Sequence, residues 1–195
     1  MSILYKAYQN IKQGITLVIL AIIISSCGQS KDKIYALDLA IDKPPHYVKI
    51  RPSQFASLFK GKEFADSLVE DRAARLQNLE NIPHYAFLQD SMNLYNNIIL
   101  MQPPYYNLNK RSFKELRSEF KYMLKDRWPD FKVEYIEEYL TRGTYPYGKM
   151  KFKIYNCQVE FITTYYLLNK TNKSKLIIVN NSDAIDFEGI IKMVE

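Results

Sequence analysis

The segment KMKFKI, Lys149 to Ile154, alternates lysine with a large apolar residue at every step. Successive side chains of an extended chain point to opposite faces, so this pattern suits a half-buried strand and no helix. Met150, Phe152 and Ile154 are expected inward. Lys149, Lys151 and Lys153 are expected on a solvated face, one that lipid headgroups could also meet. The next segment, QVEFITTYYLL, is apolar on both faces and belongs in the middle of a sheet. KLIIV follows after the polar loop NKTNKS. Before them, FKVEYIEEYL places Phe131, Val133, Tyr135 and Tyr139 on one side and Lys132, Glu134 and Glu138 on the other. The chain holds 16 tyrosines and 10 phenylalanines but only 6 glycines, a balance that suits pleated, half-buried strands.

Helical spacing appears twice before these strands. Leu68, Val69, Arg72, Ala73, Leu76 and Leu79 recur at that spacing behind Ser67-Leu68-Val69-Glu70, a capping-box pattern, and predict a helix from about Asp66 to Glu80. Ser112-Phe113-Lys114-Glu115 is a second such pattern. After it, Phe113, Leu116, Phe120, Met123 and Leu124 form one stripe that Pro129 closes. YAFLQD and LYNNIILMQ read as strands, as do the shorter YALDLAID and HYVKI. Phe187, Ile190, Ile191 and Val194 describe a terminal helix.

The order from Tyr85 is therefore β-β-α-β-β-β-β-α. It predicts an α+β fold in which an antiparallel sheet packs against a long helix and a C-terminal helix; a cystatin-like or nuclear-transport-factor-like curved sheet is the alternative. FITTYYLL, a polar loop, KLIIV, the loop NNSDAID and the closing FEGIIKMV resemble the PsbP-like group, which includes periplasmic lipoproteins similar to DcrB. That resemblance spans about residues 85–195. It implies a sandwich fold and a binding or assembly factor rather than an enzyme, and it transfers no functional residue.

The amino terminus has a different character. Lys6 and Lys12 precede Ile15–Ile24, ten residues almost wholly apolar, and Ser25-Ser26-Cys27 follows. A positive region, a short apolar region and small residues at a cleavage site make a secretory signal. A spanning helix would need about 20 apolar residues. Ile24-Ser25-Ser26-Cys27 resembles the lipobox of bacterial lipoproteins. The resemblance implies lipid transfer to the Cys27 thiol, cleavage between Ser26 and Cys27, and acylation of the new terminus. Several acyl chains anchor stably where one holds only marginally. By analogy with Gram-negative sorting, Gly28 after the cysteine favours the outer membrane, facing the periplasm. Residues 1–26 are thus expected to be a signal peptide and 27–33 a tether. Residues 34–195 are expected to be a single α+β domain, with 34–84 its N-terminal part and 85–195 its core.

Without Lys6 and Lys12 the chain keeps 25 basic against 21 acidic residues, a net charge of +4. The lysines are spread out, so no nucleic acid is expected. Lipidation of Cys27 leaves Cys157 alone, which excludes an internal disulfide and, with only His46 and His84 in the chain, a closed zinc site. Cys157 is expected to be a buried or half-buried small residue, and the histidines polar loop residues. Glu134, Glu137 and Glu138 could be paired carboxylates for acid–base work, but cross-strand pairing of Glu134 and Glu138 with the lysines fits better. Neither a catalytic set, a metal site nor a cofactor is expected. Tyr145, Pro146 and Tyr147, between two glycines, and Tyr105-Tyr106, after two prolines, are candidate recognition residues, because loop tyrosines give large contact area with few torsions to fix. The first functional reading is a lipid-anchored, non-enzymatic binding or assembly factor with a protein partner. The alternative is a small-ligand binder with a pocket between sheet and helix. The oligomeric state is open. Cys27→Ala should abolish labelling by a fatty-acid probe and release the protein from membranes; retention of the variant in membranes would contradict the lipoprotein reading.

Overall fold

A computed structural model of the protein describes residues 31–34, 37, 39–141, 147–170 and 172–182. Ser26, Cys27, Tyr145, Pro146 and the expected terminal helix lie outside them. Lys31–Ile34 (β1) and Leu39–Asp42 (β2) pair antiparallel, so the last three residues of the expected tether already lie in a strand. Then come Tyr47–Lys49 (β3), the short helix Phe55–Phe59 (α1) and Asp66–Leu76 (α2), which a 3₁₀ turn extends through Gln77–Asn81. Tyr85–Asp90 (β4), Asn97–Met101 (β5) and the long helix Lys110–Arg127 (α3) follow. The last strands are Lys132–Leu140 (β6), Tyr147–Tyr155 (β7), Glu160–Lys170 (β8) and Lys173–Asn181 (β9).

Seven of these strands form one antiparallel sheet in the order β3-β4-β5-β9-β8-β7-β6. The fold is α+β, as the element order predicts. β9 is central and β8 its neighbour, and both are buried on their two faces. Phe161, Tyr165 and Leu167 lie on the helix side, while Tyr166 packs with Ile177, Val179, Ile98, Leu100 and Leu37 on the other. Met150, Phe152 and Ile154 are buried against α3 as the alternation requires. Phe113, Leu116, Phe120 and Leu124 cover them, each side chain contributing about 1.5–3 kcal/mol by burial. Phe113 and β7 approach so closely at Gly148 that a β-carbon there would land on the Phe113 ring.

Four expectations fail for local reasons. The expected capping boxes do not form: α2 begins at Asp66 as expected, but its N-cap is Ala65 with no side-chain cap, Asp66 favours its first turn, and Ser67 is already helical. The box of α3 joins Asn109 to Ser112. The Asn109 carboxamide oxygen accepts from the Arg111 and Ser112 amides at 3.0 and 3.1 Å, and Ser112 Oγ accepts from the Asn109 amide at 3.0 Å. In β6 the ladder slips between Tyr135 and Glu137, leaving Ile136 as an extra, exposed residue. Beyond the bulge the faces exchange. Glu138 opposes Met150 on the helix side and ion-pairs with Arg117 at 3.1 Å, while Tyr139 turns to the lysine face opposite Lys149. Finally Lys149 is only 1% exposed, not solvated, and its ammonium meets Glu137 at 3.3 Å. α1 has no counterpart among the sequence expectations; its Phe55 and Phe59, four apart, are fully buried against Phe87, Leu94 and Ile99.

Candidate functional site

The helix side of the sheet carries two separate apolar clusters. α1 and α2 cover β4 and β5, and α3 covers β6, β7 and β8. They meet over Met101 and Ile178, and along that seam neither helix layer closes. A cleft of about 260 Å³ lies there, roughly nine times a water molecule's share of the liquid. The side chains of β5, β9 and β8 form its floor. Arg72 and Leu76 wall one side, and Met123 and Arg127 the other. Met123 is thus no part of the buried stripe: it is 57% exposed and belongs to the cleft wall.

Strand register gives the floor two ends. At one, Thr163, Asn180 and Asn97 stand side by side across three strands. Thr163 Oγ1 donates to Asn180 Oδ1 at 2.7 Å, and Asn180 Nδ2 donates to Asn97 Oδ1 at 2.8 Å. At the other end Met101 and Leu176 face each other, with Leu79 and Ile82 above the apolar part. Tyr165 lies between, stacked on Phe120 at 4.1 Å. Burial holds the Tyr165 hydroxyl well above its ordinary range, against the opposing pull of Arg127, so it stays a neutral hydroxyl.

Arg72 stands at the polar end. It is buried, and its Nε has no hydrogen-bond partner. Its guanidinium lies 5.5 Å from the Tyr95 ring centroid and 5.7 Å from that of Trp128, which also carries Arg75 at 5.1 Å. The turn that presents Tyr95 is pinned by Gln89 Nε2, which donates to the carbonyls of Asn93 and Asn96. Trp128 packs on Phe131 and Phe161 at the end of α3 and gives its ring to Arg72 and Arg75. Burial first, then Arg127, push the Arg72 pKa from 12.5 down to about 10. Two cation–π contacts are worth about 1–4 kcal/mol together. Arg127 is exposed as a residue, yet desolvation of its guanidinium also lowers its pKa, opposed by Tyr165 and reinforced by Arg75. Arg72 and Arg75 share the Trp128 ring and Arg127 lines the same cleft, while Asp71 ion-pairs with Arg75 at 2.8 Å and is the weakest electrostatic influence on Arg72.

Of the candidate tyrosines, those among the described residues, Tyr105, Tyr106 and Tyr147, do not form one patch. The backbones of Tyr106 and Tyr147 do reach the same end of the sheet. The Tyr106 amide donates to Ser174 Oγ and its carbonyl accepts from Asn169, while Tyr147 pairs with Leu168. Their rings, however, lie on opposite faces: Tyr106 packs under α3, and Tyr147 stacks on Tyr166 at 6.3 Å. Tyr105 is exposed. The carboxylates are equally divided, Glu138 with Arg117 and Glu137 with Lys149. Cys157 is exposed, not buried, because Asn156 Oδ1 holds its turn open by accepting from the Gln158 and Val159 amides. His46 and His84 sit in exposed turns at φ 68° and 57°. Among the described residues no three His, Cys, Asp or Glu side chains are grouped to hold a metal ion.

No protein-family model matches the chain, and no curated protein matches it in sequence. Among solved structures it is similar to the solution structure of cyanobacterial PsbP (CyanoP) from Synechocystis sp. PCC 6803. The TM-score is 0.48 at 8% identity, over 73% of this chain and 74% of that one. A likeness of this degree assigns no residue a role.

The residue that sequence reasoning missed is Arg72, although the signal was present: it is the one charged member of the apolar stripe on α2. Its lowered pKa means that the folded protein carries an uncompensated charge at every pH below about 10, a cost relieved only as the pH rises from about 10 towards 12.5. Arg72→Met, which keeps the bulk and removes the charge, should therefore raise the urea midpoint at pH 7, corresponding to a gain in unfolding free energy on the order of 1 kcal/mol. A lower midpoint would show that the stacking contacts dominate instead.

Proposed function

We propose that this protein is a lipid-anchored, extracytoplasmic binding module that holds a small molecule in the cleft over β9. The observation that carries the reading is the cleft itself. It is a cleft on the sheet, walled by two helix layers, with polar groups gathered at one end and apolar side chains at the other. The lipobox-like Ile24-Ser25-Ser26-Cys27 supports a membrane tether, which would keep the module at the bacterial envelope surface, the outer membrane on the strength of Gly28. A small-ligand site gains weight over a tyrosine-lined protein interface because the rings of Tyr106 and Tyr147 face opposite sides of the sheet. No catalytic step is part of the proposal: the carboxylates are divided between partners, and the exposed Cys157 lies in a turn of its own.

Native mass spectrometry of the full-length protein, purified from its membrane, tests the reading. A bound small molecule that organic extraction removes is the expected result. Ile178→Phe, which fills the seam from its floor, should lower the occupancy several-fold. A protein that is empty in both forms, and that copurifies with a protein partner, would contradict the pocket and favour an assembly factor.

A further inference from the structure

The charges around the cleft say what kind of molecule it takes. A buried guanidinium without a carboxylate is costly, since an unsatisfied buried donor forfeits its hydration and a charged one forfeits more. Folded proteins keep such groups where something else completes them. Arg72 is buried, its Nε is unpartnered, and no carboxylate is in ion-pair contact with it among the described residues. Arg127, across the same cleft, adds a second positive charge from α3. The floor beside them offers no counter-charge. Thr163, Asn180 and Asn97 are engaged with one another, and Tyr165 is a neutral hydroxyl. Asp71, the nearest acidic influence on Arg72, is already ion-paired with Arg75, so the polar end carries a net positive charge.

The remaining features limit that anion's size and body. Arg72 brings a planar fork to the polar end, its Nε without a hydrogen-bond partner, and such a fork matches the two oxygens of a carboxylate. The far end of the floor, Met101 and Leu176 under Leu79 and Ile82, has nothing to offer a polar group. A volume of about 260 Å³ holds a short chain or a single ring and no full lipid. We propose that the cleft binds a small organic acid, its carboxylate on Arg72 with Arg127 closing the mouth, and its short apolar body lying over Ile178 towards Met101. This assignment rests on the pocket reading above and adds the ligand class to it.

Titration calorimetry on the full-length protein in phosphatidylcholine nanodiscs, with empty nanodiscs as the blank, tests both levels separately. Hexanoate should bind at least about tenfold more tightly than 1-hexanol or hexylamine, the difference expected for a charge-assisted hydrogen-bond pair, and acetate should not bind measurably. Arg72→Met should remove that preference, weakening hexanoate about tenfold while leaving hexanol unchanged. Arg72→Lys, which keeps the charge and loses the fork, should fall between, and Arg127→Gln should weaken hexanoate several-fold. Equal binding of hexanol and hexanoate, or of hexanoate to wild type and Arg72→Met, would overturn the acid while leaving the pocket standing. No binding of any apolar probe would overturn the pocket as well. Preference for hexylamine would reverse the assigned charge.

Discussion

A seven-stranded sheet is too wide for its helices, and the rest of the molecule follows from that mismatch. Neighbouring strands lie about 4.8 Å apart, so the sheet spans roughly 29 Å, whereas a helix with its side chains covers only about 10–12 Å. Two helix layers leave several ångströms of one face uncovered. In this chain the uncovered line runs over the central strand β9, with α2 on one bank and α3 on the other. The seam is not an accident of loose packing, because each bank is well filled: Phe55, Phe59 and Phe87 on one side, Phe113, Phe152 and Phe161 on the other, are at most 3% exposed. The packing energy is spent beside the cleft, and the cleft is what remains between two completed cores.

The same seam explains where polar and charged groups could be placed without unfolding the sheet. Side chains of central strands are ordinarily apolar, yet Asn97, Thr163 and Asn180 occur on three adjacent strands. They are tolerated because their register lets each satisfy the next, which removes most of the cost of burying an amide or a hydroxyl. Arg72 is different in kind. Its aromatic neighbours Tyr95 and Trp128 attract the cation, while burial, the largest influence on its pKa, opposes the charge and its Nε has no hydrogen-bond partner, so Arg72 is an electrostatic load on the fold. A load of this kind at a cleft, and not in the sealed core, is the signature of a group whose partner arrives from outside.

The amino-acid pattern made the scaffold legible and the site nearly invisible. KMKFKI fixes the inward set of β7 because one face of that strand is buried without exception, and the two-sided apolar run of β8 correctly marks it as interior. What periodicity could not show was the bulge at Ile136. A single extra residue leaves the alternation intact to the eye while exchanging the faces of Glu138 and Tyr139. Lys149 is hidden for a related reason: a lysine on an alternating strand looks solvated until its opposite residue, here Tyr139 with Glu137 beside it, is known. Capping patterns failed by a few residues because Ser, Asn and Asp are common near both helix starts and only backbone geometry chooses among them. Arg72 and Met123 both stood in the helical stripes. The stripe marks the direction of the sheet, and only the helix spacing reveals that these two look onto the seam.

The seam over β9 is a site for a small acid, and the four methionines of the described residues provide direct reporters. Met101 and Met123 line the cleft, whereas Met150 is sealed under α3 and Met92 is exposed in the β4–β5 turn. Methyl-¹³C-methionine NMR of the protein titrated with hexanoate reads them at once. The account predicts saturable shifts of Met101 and Met123 with Met92 and Met150 unmoved. Shifts confined to Met92, or no saturable shift at Met101, would contradict it.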